Sequence, residues 1–136
     1  LLGDYYQQYL HNFHKDQLHP FLQVAYIFFI VTFKMRKERL ISIKKSPKSD
    51  KKYVATVRSL DGRDRAIHFG ARDYQQYKDS TKLKLYASKN HGDTLRRQRY
   101  FRRHSGVPGK AEALRREWRK SGGKYNAKIL SHQYLW

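Results

Sequence analysis

Three stretches of the chain alternate apolar and polar positions with period two. They are "RLISIKKS" (39–46), "KKYVATVRS" (51–59) and "RDRAIHFG" (63–70), all with β-branched or aromatic residues. This is the pattern of short strands with one covered face. "PKSD" and "DG" between them supply turns, and Asp61-Gly62 suits a two-residue type I′ loop because both central positions need positive φ. Such a loop pairs Leu60 with Arg63, Thr56 with Ile67 and Val54 with Phe69 on one face. On the other face Ala55 meets His68 and Val57 meets Ala66. His68 then lies beside neither a nucleophile nor an acid, and general-base work is not expected of it.

Beyond Gly70 the period changes. "ARDYQQYKDS" predicts about two helical turns, with Asp73 near the N-terminus, Tyr74 and Tyr77 docking on the sheet, and Gln75 and Gln76 facing outward. "TKLKLY" predicts a fourth strand with Leu83 and Leu85 on one face. Asp93 or Thr94 can cap a helix running to about His104, which carries Arg96, Arg97, Arg99, Arg102 and Arg103 around Tyr100 and Phe101. After the break at "SGVPG", Ala111, Leu114 and Trp118 recur on one helical face, and Ala127, Leu130 and Tyr134 repeat the spacing before Trp136. The expected fold is α+β: a small antiparallel sheet of three to four strands, short helices and a C-terminal helical pair over residues 38–136, preceded by an extended or helical arm over 1–37.

The arm has its own pattern. Tyr5, Tyr6, Tyr9, Leu10 and Phe13 suit a short amphipathic helix that His19-Pro20 interrupts. Residues 21–33, "FLQVAYIFFIVTF", carry no charge, and Phe21, Tyr26, Phe28, Phe29 and Phe33 are their expected contact residues. As a helix this run would span roughly 20 Å, short of the about 30 Å apolar thickness of a bilayer. Lys34, Arg36, Lys37 and Arg39 follow it directly and would suit an anionic surface. A covered strand, an arm gripping a neighbour and a membrane anchor all remain open. Since the first residue is leucine, the chain is expected to begin inside a longer product.

Charge sharpens this picture. Thirty Lys and Arg stand against eleven Asp and Glu, a formal +19 in 136 residues, and nearly all of it falls beyond residue 33. Such an excess implies a polyanionic partner, either phosphate or acidic protein. There is no cysteine, hence no disulfide, thiol nucleophile or cysteine-bound metal. His11 and His14 lie at helical spacing without a convincing third ligand, and "HSGVPGK" lacks the spacing of a phosphate loop. No pair of carboxylates and no Ser/His/acid elbow stands out. No enzyme, cofactor or metal is expected. Arg96, Arg97, Arg99, Arg102 and Arg103, interleaved with Tyr100 and Phe101, are the candidate partner- or anion-binding residues, together with Lys34, Arg36 and Lys37.

"RLISIKKSPKSDKKYVATV", "IHFGARDYQQYKDST", "HGDTLRRQRYFRRHSG" and a tail ending "LSHQYLW" together resemble a family of small basic proteins encoded by large nucleocytoplasmic DNA viruses of algae and amoebae, found in or expected of their virions. The likeness covers about residues 38–136 and departs from the family pattern over the first 34. It implies signature positions at Ile67, His68, Phe69, Gly70, Tyr74, Tyr77, Arg99, Tyr100, Arg103 and His104, to which Trp118 and Trp136 are added as structural positions. The family has no established activity. With the small core, apolar arm and positive charge, the resemblance implies a non-enzymatic minor capsid or cement protein on the inner side of the capsid. Its partners would be the major capsid protein and other minor capsid proteins. A nucleoprotein that packages viral DNA and a tether from capsid to inner virion membrane are the alternatives. On the capsid reading "IHFGARDYQQYKDST" is expected to act as a fastener, with Phe69 anchoring the sheet and Gly70 turning the chain.

Overall fold

A computed structural model describes residues 19–24 and 36–136, and chain contacts divide the protein into Leu1–Lys34 and Met35–Trp136. In the first unit residues 20–24 are helical, the Gln23 amide donates to the His19 carbonyl at 3.0 Å, and Phe21 is exposed. Tyr26, Phe28, Phe29, Phe33, Lys34, His11 and His14 lie outside the described residues. Among those described, no helix is long and apolar enough to cross a membrane.

The second unit is a small α+β domain. Strands β1 (Arg39–Lys45), β2 (Lys51–Arg58) and β3 (Asp64–Ala71) form an antiparallel sheet in the order β1-β2-β3. Three helices follow: α1 (Thr94–Ser105), α2 (Lys110–Ser121) and α3 (Ala127–Tyr134). As expected, Asp93 caps α1, its Oδ1 accepting the Arg96 amide at 3.0 Å, while Asn126 does the same for α3 through the Ile129 amide at 2.9 Å. Helices α1 and α2 end on left-handed glycines, Gly106 and Gly122.

The β2-β3 register differs by one residue from the type I′ expectation. Tyr53, not Val54, faces Phe69; Val54 faces His68, Ala55 faces Ile67, Thr56 faces Ala66 and Val57 faces Arg65. The cause is the turn. Ser59 accepts the Gly62 amide at 2.9 Å and donates to Arg63 at 2.8 Å, so three residues form the loop and only Gly62 takes positive φ. The extra residue exchanges the faces of β2 relative to β3. Phe69 stays in the core, but its neighbours are Tyr53 at 5.8 Å and Tyr134 at 6.4 Å between ring centroids. His68 lies on the opposite face, with Nδ1 2.8 Å from Ser46 Oγ.

Tyr53, Ala55, Val57 and Phe69 of the sheet bury Leu130 and Leu135, with Leu40, Ile43 and Ile67 packed at the margin. A second cluster of Phe101, Val107 and Ala113 joins α1 to α2. The helix faces differ from the apolar spacing: Ala111 and Ala127 are exposed, whereas Ala113, Glu117, Ile129 and His132 are buried. Two polar residues on the covered faces hid the true phase. Trp118 is buried as expected, edge-on to Tyr125 at 4.6 Å, and Lys37 Nζ lies 4.8 Å from its ring.

Residues 72–92 form neither the expected helix nor a fourth strand. Apart from a three-residue 3-10 turn at Ala87–Lys89, they are irregular. Tyr74 is 74 % exposed rather than docked on the sheet, while Gln76 is buried, and Leu83 and Leu85 stay substantially exposed. Side chains replace a backbone ladder here. Arg72 donates to the carbonyls of Ser46, Lys48 and Lys51, clamping the β1-β2 turn. Gln76 and Asn90 form a parallel bridge, and the amides of Lys78 and Ser80 donate to Leu135 and Tyr134 at 3.1 and 2.8 Å.

Candidate polyanion groove

Local rules place the arginines. With α1 capped at Asp93, Arg96, Arg99 and Arg103 fall at offsets of three and four on one face, Tyr100 between them. That face looks across a cleft of about 800 Å³ toward the end of β3 and the start of α3. Lys51 and Lys52 of β2 and Lys128 of α3 complete the cationic lining, and among the described residues no acidic side chain lines it. No carboxylate pairs with Arg96, Arg99 or Arg103 among the described residues; Arg96 instead donates to Gln75 Oε1 at 2.9 Å. Unneutralised guanidinium groups on a concave wall are built to receive oxyanions.

The expected binding residues therefore divide. Arg96, Arg99 and Arg103 converge with the signature positions Phe69, Gly70, Tyr74, Tyr100, His104 and Trp136 on this cleft. Arg97 turns away, its guanidinium 4.2 Å from the centroid of Tyr77, and Arg102 is exposed outside the lining. Arg36 and Lys37 are exposed elsewhere, and Ile67, His68 and Trp118 are structural. Lys51, Lys52 and Lys128 escaped the sequence because they reach the cleft only through tertiary packing. Gly70 has a positive φ of 74°, and a Cβ there would meet Leu135 Cδ1 at 2.8 Å, so the glycine lets the cleft floor close on α3.

Two buried polar networks support the walls. Beneath the loop wall, Lys52 Nζ donates to the Tyr74 carbonyl at 2.6 Å and to Gln76 Oε1. Gln76 Nε2 donates to the Tyr86 carbonyl and to Asn90 Oδ1, each at 2.7 Å, and Asn90 Oδ1 also accepts the Asp79 amide at 2.7 Å. The Asp79 carboxylate accepts from Tyr53 Oη, the Thr81 hydroxyl, and the Thr81 and Tyr86 amides. Burial, then the charge of Lys89, lowers the Lys52 ammonium to about 8. Burial and the bond to Asp79 raise the Tyr53 phenol to about 12.

Beneath the helical wall the bonds run in single file. Ser105 Oγ donates to Glu117 Oε1 at 2.9 Å, so its oxygen must accept from His132 Nε2 at 2.8 Å. His132 is fully buried and burial lowers its pKa to about 4, leaving it neutral with Nε2 protonated. Its Nδ1 then accepts from Tyr100 Oη at 3.0 Å. This fixes the Tyr100 ring, which stacks on Trp136 with centroids 4.0 Å apart and planes 2° from parallel. Lys120 and Lys128 hold Glu117 at 3.6 and 3.8 Å. The trio is unlike a nucleophilic triad, because the acid contacts the serine rather than orienting the histidine. Among the described residues no cluster of His, Asp and Glu could hold a metal.

The fold and this cleft define a small basic α+β domain with a cationic, partly aromatic groove. Residues 41–88 are similar to a family described as "Family of unknown function (DUF5754)". That span holds β2, β3, most of β1 and most of the irregular loop but stops short of α1. No curated protein and no solved structure matches the chain.

Proposed function

We propose that the Met35–Trp136 unit is a non-enzymatic binding module that holds nucleic-acid phosphates in the groove. The observation that supports this most is the convergence of five cationic side chains, Lys51, Arg96, Arg99, Arg103 and Lys128, from three separate elements on one cleft without acidic lining among the described residues, the Lys52 ammonium being turned into the buried network behind it. The Ser105–His132–Glu117 geometry favours support over catalysis, since the serine hydroxyl is buried and already donates to the glutamate.

The virion setting rests on the family resemblance. Within it, the nucleoprotein role draws on the groove. A capsid-shell role, with major and minor capsid proteins as partners, draws instead on the apolar run 21–33, as does a tether to the inner membrane. Binding across a salt series tests the groove. The Arg99→Ala/Arg103→Ala double variant is expected to flatten the log affinity against log salt slope by about 1.4 to 1.8, at about 0.7 to 0.9 per phosphate contact. Arg102→Ala/Arg119→Ala removes equal charge outside the groove and is expected to leave most of that slope. Equal loss in the two double variants would reduce the effect to net charge and sink the proposal.

A further inference from the structure

We propose that the groove takes a single nucleic-acid strand, one base of which stacks on Tyr74. This rests on the phosphate-binding reading above and names the form of polymer. Shape argues first. Arg96, Arg99 and Arg103 form one wall of a concave cleft of about 800 Å³ closed opposite by the end of β3 and by α3. Duplex readers instead present a projecting helix or ribbon that enters a DNA groove about 12 Å wide. A cleft of this volume lies in the range of small-ligand sites and admits a strand segment while excluding the body of a duplex.

The aromatic at its rim argues second. Tyr74 lines the cleft, yet its side chain is three-quarters exposed and makes no hydrogen bond or ring contact among the described residues. Burial does not account for so large an exposed ring. Its backbone is nonetheless fixed, because Lys52 Nζ donates to its carbonyl at 2.6 Å and its amide donates to Ala71 at 3.3 Å. A rigidly carried, uncovered ring beside unpaired guanidinium groups is the arrangement that single-strand binders use, rings taking bases and cations tracking the backbone. The ordering cost is met by the fold before the ligand arrives.

The test measures fluorescence anisotropy of the full chain with a labelled oligothymidylate, a hairpin duplex of matched phosphate number, and an abasic strand of the same length. The expected order places the oligothymidylate tightest and the abasic strand about tenfold weaker, as loss of one stacked base predicts. Tyr74→Ala should lower oligothymidylate affinity to the abasic level and leave the abasic strand unchanged, while Tyr74→Phe should retain binding. Equal affinity for all three polymers with Tyr74→Ala silent overturns the single-strand inference but leaves phosphate binding standing. Failure of all three to bind, or tighter binding of a polyglutamate peptide, overturns both.

Discussion

The two buried networks reach the same groove from opposite sides by different designs. Under the loop wall, Asp79 gathers four donors and Gln76 bonds in three directions, a branched knot with a lysine at one end. Under the helical wall, three hydrogen bonds join four side chains in a line from Tyr100 to Glu117. Branching stands in where carbonyls do not reach: the amides of Asp79, Thr81 and Tyr86 end on the side chains of Asn90 and Asp79, while other loop amides bond to backbone carbonyls. The file does no such work, because its helices satisfy their own backbones; it fixes the tautomer of one histidine and the position of one ring. A branched knot should thus fail through unpaired donors and a single file through protonation.

Stability measurements can break that distinction. Phe69→Ala supplies an apolar yardstick, removing a fully buried ring at an expected cost of about 3 to 5 kcal/mol by urea denaturation of the full chain. Asp79→Ala should approach it, at about 3 kcal/mol, because it strands several buried donors at once. A cost below about 1 kcal/mol would show that water replaces the carboxylate and that the knot is not what fastens the loop.

The single file should show itself in acid. The folded pKa of His132 is depressed from 6.5 to about 4, so between those values the unfolded chain binds the extra proton. Stability present above pH 6.5 is therefore lost as pH falls to about 4, by about 3 kcal/mol from this group. His91 and His104, also lowered by burial, act in the same direction. His132→Gln should flatten the acid limb of the denaturation midpoint; an unchanged limb would assign the acid loss to other groups.

The branched knot should act in the same sense at alkaline pH. Lys52 is depressed from 10.5 to about 8, so the unfolded chain binds more protons between those values and stability rises with pH there. Tyr53, Tyr100, Tyr125 and Tyr134, all raised by burial, together reverse the trend above pH 10, because the unfolded chain releases these phenol protons first. Midpoints at pH 7, 9 and 11 should pass through a maximum, and Lys52→Met should remove the rise from 7 to 9. A monotonic profile in the unaltered protein would contradict this.

The sheet was legible because alternation is local: residues 39–70 announce three strands, and Asp93 announces α1. Its register was not, because "SLDGR" supports a two- or a three-residue loop, and the choice lies in whether one residue or two take positive φ. Residues 72–92 misled for the reason the knot exists. Gln76 reads as outward-facing until Lys52 and Asn90 are brought to it from elsewhere in the chain. Of the groove, the arginine cluster and Tyr100 were visible, but which arginines share a face with Tyr74 depends on helix phase and on strands contributing Lys51 and Lys52. Glu117 and His132 concealed the buried faces of α2 and α3, since a polar residue reveals its burial only through its partners.

The bonds from Lys78 and Ser80 to Leu135 and Tyr134 impose an order of assembly. Adjacent hairpins such as β1-β2 and β2-β3 close within about microseconds of being available, and the loop can bond to Lys52 and Tyr53 of β2, but its two bonds to α3 form only when residues 134 and 135 have left the ribosome. During synthesis the sheet and the knot therefore precede the last of the fastening. A nascent chain halted before Tyr134 should expose residues 72–92 to protease more readily than the finished domain does, and the groove, whose walls include both the loop and α3, is the last part of the domain to come into being.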